Sequence, residues 1–310
     1  MISYAQNGED VVLRRAFTSD HGTFVDVGAG GHTIHSVTRA FHDAGWAGIS
    51  VEPHASFARE LRASRPQETV IEALVGACAG SRALYCFTRD DVSGQSSVIR
   101  GVADGVAAAT GAAWERRDIR VVTLADVWSA LTHPSEVDFL KIDIEGAETE
   151  VITATDWVSV RPKCIVVEAI DPVTREPSHE AWEPVLEAAG YAMVLFDGIN
   201  RFYAASEARE IHQALSYPAC AIDGFIRYED LLRQHEVTAL RARFDAARAR
   251  ADGARTDAEV ASLRIRECEV TMAEEQHLRR VAEAALRHLG DTLSAEAGQA
   301  ARAAGGHFGD

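Results

Sequence analysis

The chain has 310 residues, more than one compact domain usually needs, so one large domain with an appendage is the expectation. Hydrophobic residues make up 47% and charged residues 25%, enough to build a core, and a formal charge of −16 argues against a nucleic-acid backbone or an anionic membrane surface as main partner. The five scattered cysteines form no Cys-x-x-Cys pair and read as reduced, packed thiols; no apolar run is long enough to span a bilayer, and the polar first residues are not those of a signal peptide, so a cytoplasmic location is expected.

In chain order, Gln6, Glu9 and Asp10 come first, ahead of Val11, Leu13 and Phe17 at helical spacing. They are more polar groups than a packing helix requires. Either they cap a solvated first turn or they belong to an active-site lid and bind substrate. A buried strand over 24–27 then runs into the turn Gly28-Ala29-Gly30-Gly31, with a helix expected over 34–43. The next strand, 49–52, ends in Glu52 and is stopped by Pro53. An acid at that place can accept both hydroxyls of an adenosine ribose. A dinucleotide fingerprint would need glycine at position 33, where Thr33 stands, so a pyrophosphate cradle is disfavoured. S-adenosylmethionine suits the turn better, because Asp26, just ahead of it, can help hold an ammonium group.

A helix over 55–65 ends at Pro66, and a third strand over 70–75 is expected to form a hairpin with 84–87. The Ser- and Gly-rich segment 90–97 reads as a lid or a plain connection. A strand over 119–124 precedes a helix over 126–131, and the apolar strand 137–142 ends in Asp143, Glu145 and Gly146 before a helix from 147. Residues 165–168 repeat the pattern and end in Glu168. Each terminal carboxylate could cap a helix, but Asp26, Glu52, Asp143 and Glu168 together outline one acidic rim at the carboxyl ends of the strands. Asp197-Gly198 between apolar runs marks an antiparallel hairpin of 191–196 with 199–203. Beyond 228 the composition turns to Ala, Arg and Glu. The thin apolar stripe through Val237, Leu240, Phe244, Val260, Leu263 and Val270 predicts one or two long helices, interrupted near Gly253 and stopped at Gly290, with fraying beyond 293. That stripe pairs with another chain, giving a homo-oligomer, or lies on the main domain.

The fold class expected is α/β: a doubly wound Rossmann-like methyltransferase sheet over 1–227, closed by a terminal antiparallel hairpin, plus a C-terminal α-helical extension over 228–310. On Tyr4 to Asp10, the turn Asp26 to Gly31, Ser36 to Phe41, Gly45 to Pro53 and Phe139 to Glu148, the chain resembles the FkbM family of S-adenosylmethionine-dependent methyltransferases. Through Asp197 to Tyr203 it is similar to the subgroup found with bacterial surface-polysaccharide genes. The resemblance implies O-methylation, commonly of a sugar or a macrolide-type hydroxyl. It assigns Asp26, Gly28 and Gly30, with Ala29 between them, to the methionine end of the cofactor, and Glu52, followed by Pro53, to the ribose. It places Lys141, Asp143 and Glu145 at the reaction crevice. Relatives tend to show Thr-Gly-Leu-Ser where this chain has Gly94-Gln95-Ser96-Ser97.

Methyl transfer to oxygen is an in-line displacement, and a sugar hydroxyl needs a base or a metal to take its proton as the bond forms. Asp143 or Glu145 is the expected base, with Glu168 assisting. A divalent ion held by Asp143 and Glu168 would stabilise the alkoxide instead, though two such carboxylates also serve as plain hydrogen-bond acceptors. His32, His35 and His54 flank the cofactor loops. Asn200, Arg201 and Tyr203 could orient a sugar or its phosphate, or could be ordinary strand residues at a sheet edge. Two other classes remain: a binding or scaffold protein that keeps the fold without turnover, with the tail as interaction element, and a nicotinamide oxidoreductase, which Thr33 weakens.

Overall fold

The computed structural model describes residues 1–87, 96–144, 146–171, 174–254 and 257–304. The chain opens with β1 (Ile2–Ser3) and α1 (Glu9–Ala16), followed by β2 (Thr23–Val27), α2 (Arg39–Asp43), β3 (Ala47–Val51), α3 (Ala55–Ser64) and β4 (Thr69–Ile71). A side sheet follows, made of β5 (Leu74–Val75), β6 (Gly80–Phe87) and β7 (Trp114–Val122), with α4 (Arg100–Thr110) between the last two. Next come α5 (Leu124–Ser129), β8 (Phe139–Ile142), α6 (Glu148–Ala154), β9 (Cys164–Glu168), α7 (Glu183–Ala188), β10 (Tyr191–Phe196) and β11 (Asn200–Ala205). The chain ends with α8 (Arg209–Leu215), β12 (Ile226–Arg227), α9 (Tyr228–Ala254) and α10 (Asp257–Ala304).

The central sheet has seven strands in the order β10-β11-β9-β8-β2-β3-β4. Strands β9, β8, β2, β3 and β4 run parallel, and β11 is antiparallel to both β9 and β10. The expected doubly wound sheet with its closing hairpin is therefore present. Every residue of β8, and Cys164 to Val167 of β9, is buried, as strands covered on both faces require. Phe24, Phe41, Trp46 and Phe139 form an aromatic cluster in the core, with ring centroids 4.7 Å apart for Phe41 and Phe139 and 5.6 Å for Phe24 and Phe139. Winding starts at β2 and proceeds to β3 and β4 on one side, then to β8 and β9 on the other. The order reverses between β2 and β8, which opens a crevice at their carboxyl ends.

Several local expectations are corrected. The helix expected over 34–43 is only Arg39–Asp43, because the chain before it turns its polar groups inward. The third strand divides, Thr69–Ile71 joining the main sheet and Leu74–Val75 pairing with β7. Segment 84–87 does not form a hairpin with it; β6 pairs antiparallel with β7 from Trp114 to Val121, burying Leu84 and Cys86. Helix α4 was not anticipated, since Gly101 and Gly105 weaken its helical signal. Gly290 does not stop the last helix, which runs on to Ala304; one interior glycine costs a helix only about 1 kcal/mol. Of the five cysteines, Cys78 and Cys268 are exposed rather than packed.

Two compact units result, Met1–Leu232 and Arg233–Asp310. The first holds the sheet and the opening turn of α9. The second is helical, and its Val270, Leu278 and Val281 are exposed. Among the described residues no helix is long and apolar enough to cross a membrane.

Candidate active site

The turn after β2 is built by two glycines with different tasks. Gly28 has φ +80°, and a Cβ there would lie 1.7 Å from the Asp143 carbonyl oxygen, so the neighbouring strand end demands glycine. Gly30 has φ +61° and no atom within 4 Å of the position its Cβ would take, which leaves that side of the turn open. The Gly28 and Ala29 amides donate to the Val51 carbonyl at 3.0 and 3.2 Å, tying the turn to β3. Glu52 completes the joint. Its Oε2 accepts from the Gly30 amide at 2.8 Å and its Oε1 from the His54 amide at 2.7 Å, while Pro53 between them has no N–H to compete. Burial raises the Glu52 carboxyl to about 7, outweighing the two backbone hydrogen bonds that favour the anion.

On the other side of the crevice stands Lys141, buried at the end of β8. Its Nζ donates to Asp143 Oδ2 at 3.0 Å and to the Gly28 carbonyl at 3.4 Å, and lies 3.8 Å from Asp26 Oδ1. Burial opposes the lysine charge, but the Asp143 and Asp26 carboxylates prevail and hold the ammonium above the usual lysine range. Asp26 is covered: its Oδ2 accepts from the Thr38 hydroxyl at 2.8 Å, and its Oδ1 has no hydrogen-bond partner. Asp143, by contrast, leaves 31% of its side chain exposed. Past Gly146, the Glu148 carboxylate gathers the Ile144 and Gly146 amides and shapes the turn below Asp143.

The amino-terminal segment reaches the same crevice. Glu9 accepts from Asn200 Nδ2 at 2.9 Å and from the Asn7 amide at 2.8 Å. The Asp197 carboxylate accepts from the Ile199 and Asn200 amides and so folds the hairpin turn beside it. Burial, with a smaller push from Asp197, raises Glu9 to about 7, and the Lys141 charge pulls the other way. Lys141 acts on Glu52 as well, so the field of one ammonium reaches both the glycine-turn side of the crevice and the amino-terminal side.

A profile of the FkbM methyltransferase domain matches residues 26–193, more than half of the chain. The chain belongs to that family. The match begins at Asp26 and takes in the glycine turn, Glu52, Lys141, Asp143 and Glu168; the segment bearing Glu9, and Asn200, lie outside it. Two solved structures are similar in part. A TehB-like SAM-dependent methyltransferase from Corynebacterium glutamicum is 8% identical, with 64% of this chain and 87% of that one covered and a TM-score of 0.34. A precorrin-6y C5,15-methyltransferase from Geobacter metallireducens is 15% identical, with 60% and 71% covered and a TM-score of 0.30. A search of curated proteins finds no match.

In this FkbM-family chain the residues expected from sequence do not all meet. Asp26, Gly28, Lys141 and Asp143 do, as do Gly30 with Glu52 and Glu9 with Asn200. Asp10 is fully buried and holds the Ser3 hydroxyl at 2.7 Å and the Tyr4 amide at 2.7 Å, an internal duty. The Gln6 carbonyl accepts from Arg227. Arg201 and Tyr203 part company with Asn200, because neighbouring strand residues point to opposite faces. Both reach Glu183 of α7, at 2.6 and 2.8 Å, and Tyr203 is fully buried.

Glu168 is half-buried and in register with Asn200. Asp143 follows Ile142, whose partner is Val167, so Asp143 and Glu168 end their strands at one level. Glu145 lies outside the described residues, as do Gly94 and Gln95 of the expected lid; Ser96 accepts from the Phe87 amide. Among the described residues no group of three His, Cys, Asp or Glu side chains is placed to hold a metal. Each flanking histidine has a polar neighbour: His32 is paired with Glu60, His35 with Glu229, and His54 with Ser56. Sequence reasoning missed Thr38, which holds Asp26, and Glu148, which shapes the turn below Asp143. Only Glu148, opening a helix just after a glycine turn, carried a local signal.

Proposed function

We propose that this protein is an S-adenosylmethionine-dependent O-methyltransferase acting on a hydroxyl, of a sugar in a bacterial surface glycan or of a glycosylated metabolite. The observation that carries the reading is the convergence of the Gly28 to Gly30 turn, Glu52, Lys141 and Asp143 at the point where the strand order reverses. The cofactor fits the groups present. The open side of Gly30 admits a ligand against the backbone, Glu52 keeps lone pairs for ribose hydroxyls, and the Oδ1 of Asp26, which has Lys141 at 3.8 Å but accepts no hydrogen bond, keeps its lone pairs for a donor. When bound, the cofactor supplies an electrophilic methyl group on a sulfonium.

The residues of the chain do the rest. Asp143, with 31% of its side chain exposed beside the turn, accepts the acceptor's hydroxyl proton as the new bond forms, and the Lys141 bond holds that carboxylate in place. Glu9 and Asn200, bonded to each other where the amino-terminal segment meets the hairpin, are assigned to acceptor binding. Arg201 serves that task from behind, through the position of β11. The acceptor class follows from the likeness of Asp197 to Tyr203 to the polysaccharide-associated subgroup. A homo-oligomer is proposed through the helical unit, on the exposure of Val270, Leu278 and Val281.

Calorimetry with S-adenosylmethionine tests the cofactor, and the absence of binding would discard the enzyme reading in favour of a scaffold. Asp143→Ala is expected to keep cofactor binding and lose turnover. Mass spectrometry of surface glycan from a strain lacking the protein should show one fewer O-methyl group; an unchanged methylation pattern would remove the glycan acceptor.

A further inference from the structure

Arg65, at the carboxyl end of α3, is fully buried, and no role above uses it. Its guanidinium donates to the His32 carbonyl at 2.8 Å, the Ser36 hydroxyl at 2.7 Å and the Thr38 hydroxyl at 3.0 Å, and meets Glu68 at 3.5 Å. Glu68 is itself held by Ser50 at 3.1 Å and by His42 at 2.9 Å. An isolated buried cation would be costly, but both terminal nitrogens of Arg65 are hydrogen-bonded and Glu68 pairs its charge, with Nε alone lacking a partner, which makes the cluster a structural joint. It explains the shortened α2: the carbonyl and hydroxyls that a helix from residue 34 would have used otherwise are turned toward Arg65.

The directions of these bonds carry the next step. Arginine can only donate, so the Thr38 hydroxyl must accept from it. Its single proton is then committed to Asp26 Oδ2, at 2.8 Å. Asp26 is thereby held as an acceptor, with the guanidinium charge one hydroxyl away and its second oxygen, Oδ1, left without a hydrogen bond beneath the glycine turn. We propose that Arg65 is a positioning residue for the amino-acid end of the cofactor: through Thr38 it orients Asp26, and through His32 and Ser36 it shapes the chain that follows the glycine turn. This inference rests on the cofactor reading given above.

Calorimetry with two ligands separates positioning from general support. S-adenosylhomocysteine carries the amino-acid end, and 5′-methylthioadenosine lacks it. Thr38→Val keeps the side-chain shape and breaks the relay, and should weaken S-adenosylhomocysteine about tenfold while changing 5′-methylthioadenosine less than about twofold. Arg65→Lys, which cannot make the same fork of bonds, should show the same selectivity in whatever fraction folds. If Thr38→Val weakens both ligands equally, or neither, the relay is overturned while the cofactor reading stands. If the wild-type protein binds neither ligand, both fall together.

Discussion

Asp26 of β2 and Lys141 of β8 are register partners on adjacent parallel strands, and the lysine Nζ lies 3.8 Å from the aspartate Oδ1. The pairing is thus written into the sheet register. Lys141→Met would leave Asp26 buried with less compensation and should lower the free energy of unfolding by about 3 to 5 kcal/mol. Adding Asp26→Asn should return about half of that loss. Urea titrations of the two variants read this directly, and equal stabilities of Lys141→Met and wild type would show that the pair contributes nothing.

Glu9 and Glu52 are both raised from an ordinary 4.5 to about 7, chiefly by burial. Between those values the native state keeps protons that the unfolded chain has released, so stability falls as pH rises through the window. The contribution is fully present below about 4.5 and lost by about 7, and is on the order of 3 kcal/mol per group as an upper bound. The urea midpoint should therefore be higher at pH 6 than at pH 8, and Glu52→Ala should flatten that slope. A midpoint that rises with pH across the interval would contradict the burial of these two acids.

The two turn glycines should respond differently to alanine. Gly28→Ala drives a Cβ into the Asp143 carbonyl and should cost several kcal/mol or prevent folding. Gly30→Ala meets no atom and should cost only the left-handed conformation, about 1 to 2 kcal/mol. Thermal melts of the two proteins side by side check the order.

Tyr203 donates its hydroxyl to Glu183 in the interior, and burial raises that phenol well above its usual range. Tyr203→Phe should lose about 1 kcal/mol of stability and leave KM for the acceptor unchanged. A KM that rises severalfold at unchanged stability would return this residue to the acceptor site.

Local pattern in the chain was enough for the strands expected over 24–27, 137–142 and 165–168, the second of which starts at Phe139, for the closing hairpin at Asp197-Gly198, and for Glu52 and Asp143 as strand-end acids. Apolar runs, glycine turns and terminal carboxylates are properties of neighbouring residues, and they survive folding unchanged. Pairing and facing are not. The choice of β7 as partner for β6, the inward turn of 32–38 toward Arg65 and the separation of Asn200 from Arg201 depend on residues remote in sequence, and on which face of a strand lies against which helix. Only the packed structure could bring Glu9, nearly two hundred positions away, onto Asn200, because the energy of a buried hydrogen bond is decided by what surrounds it and not by the residues beside it in the chain.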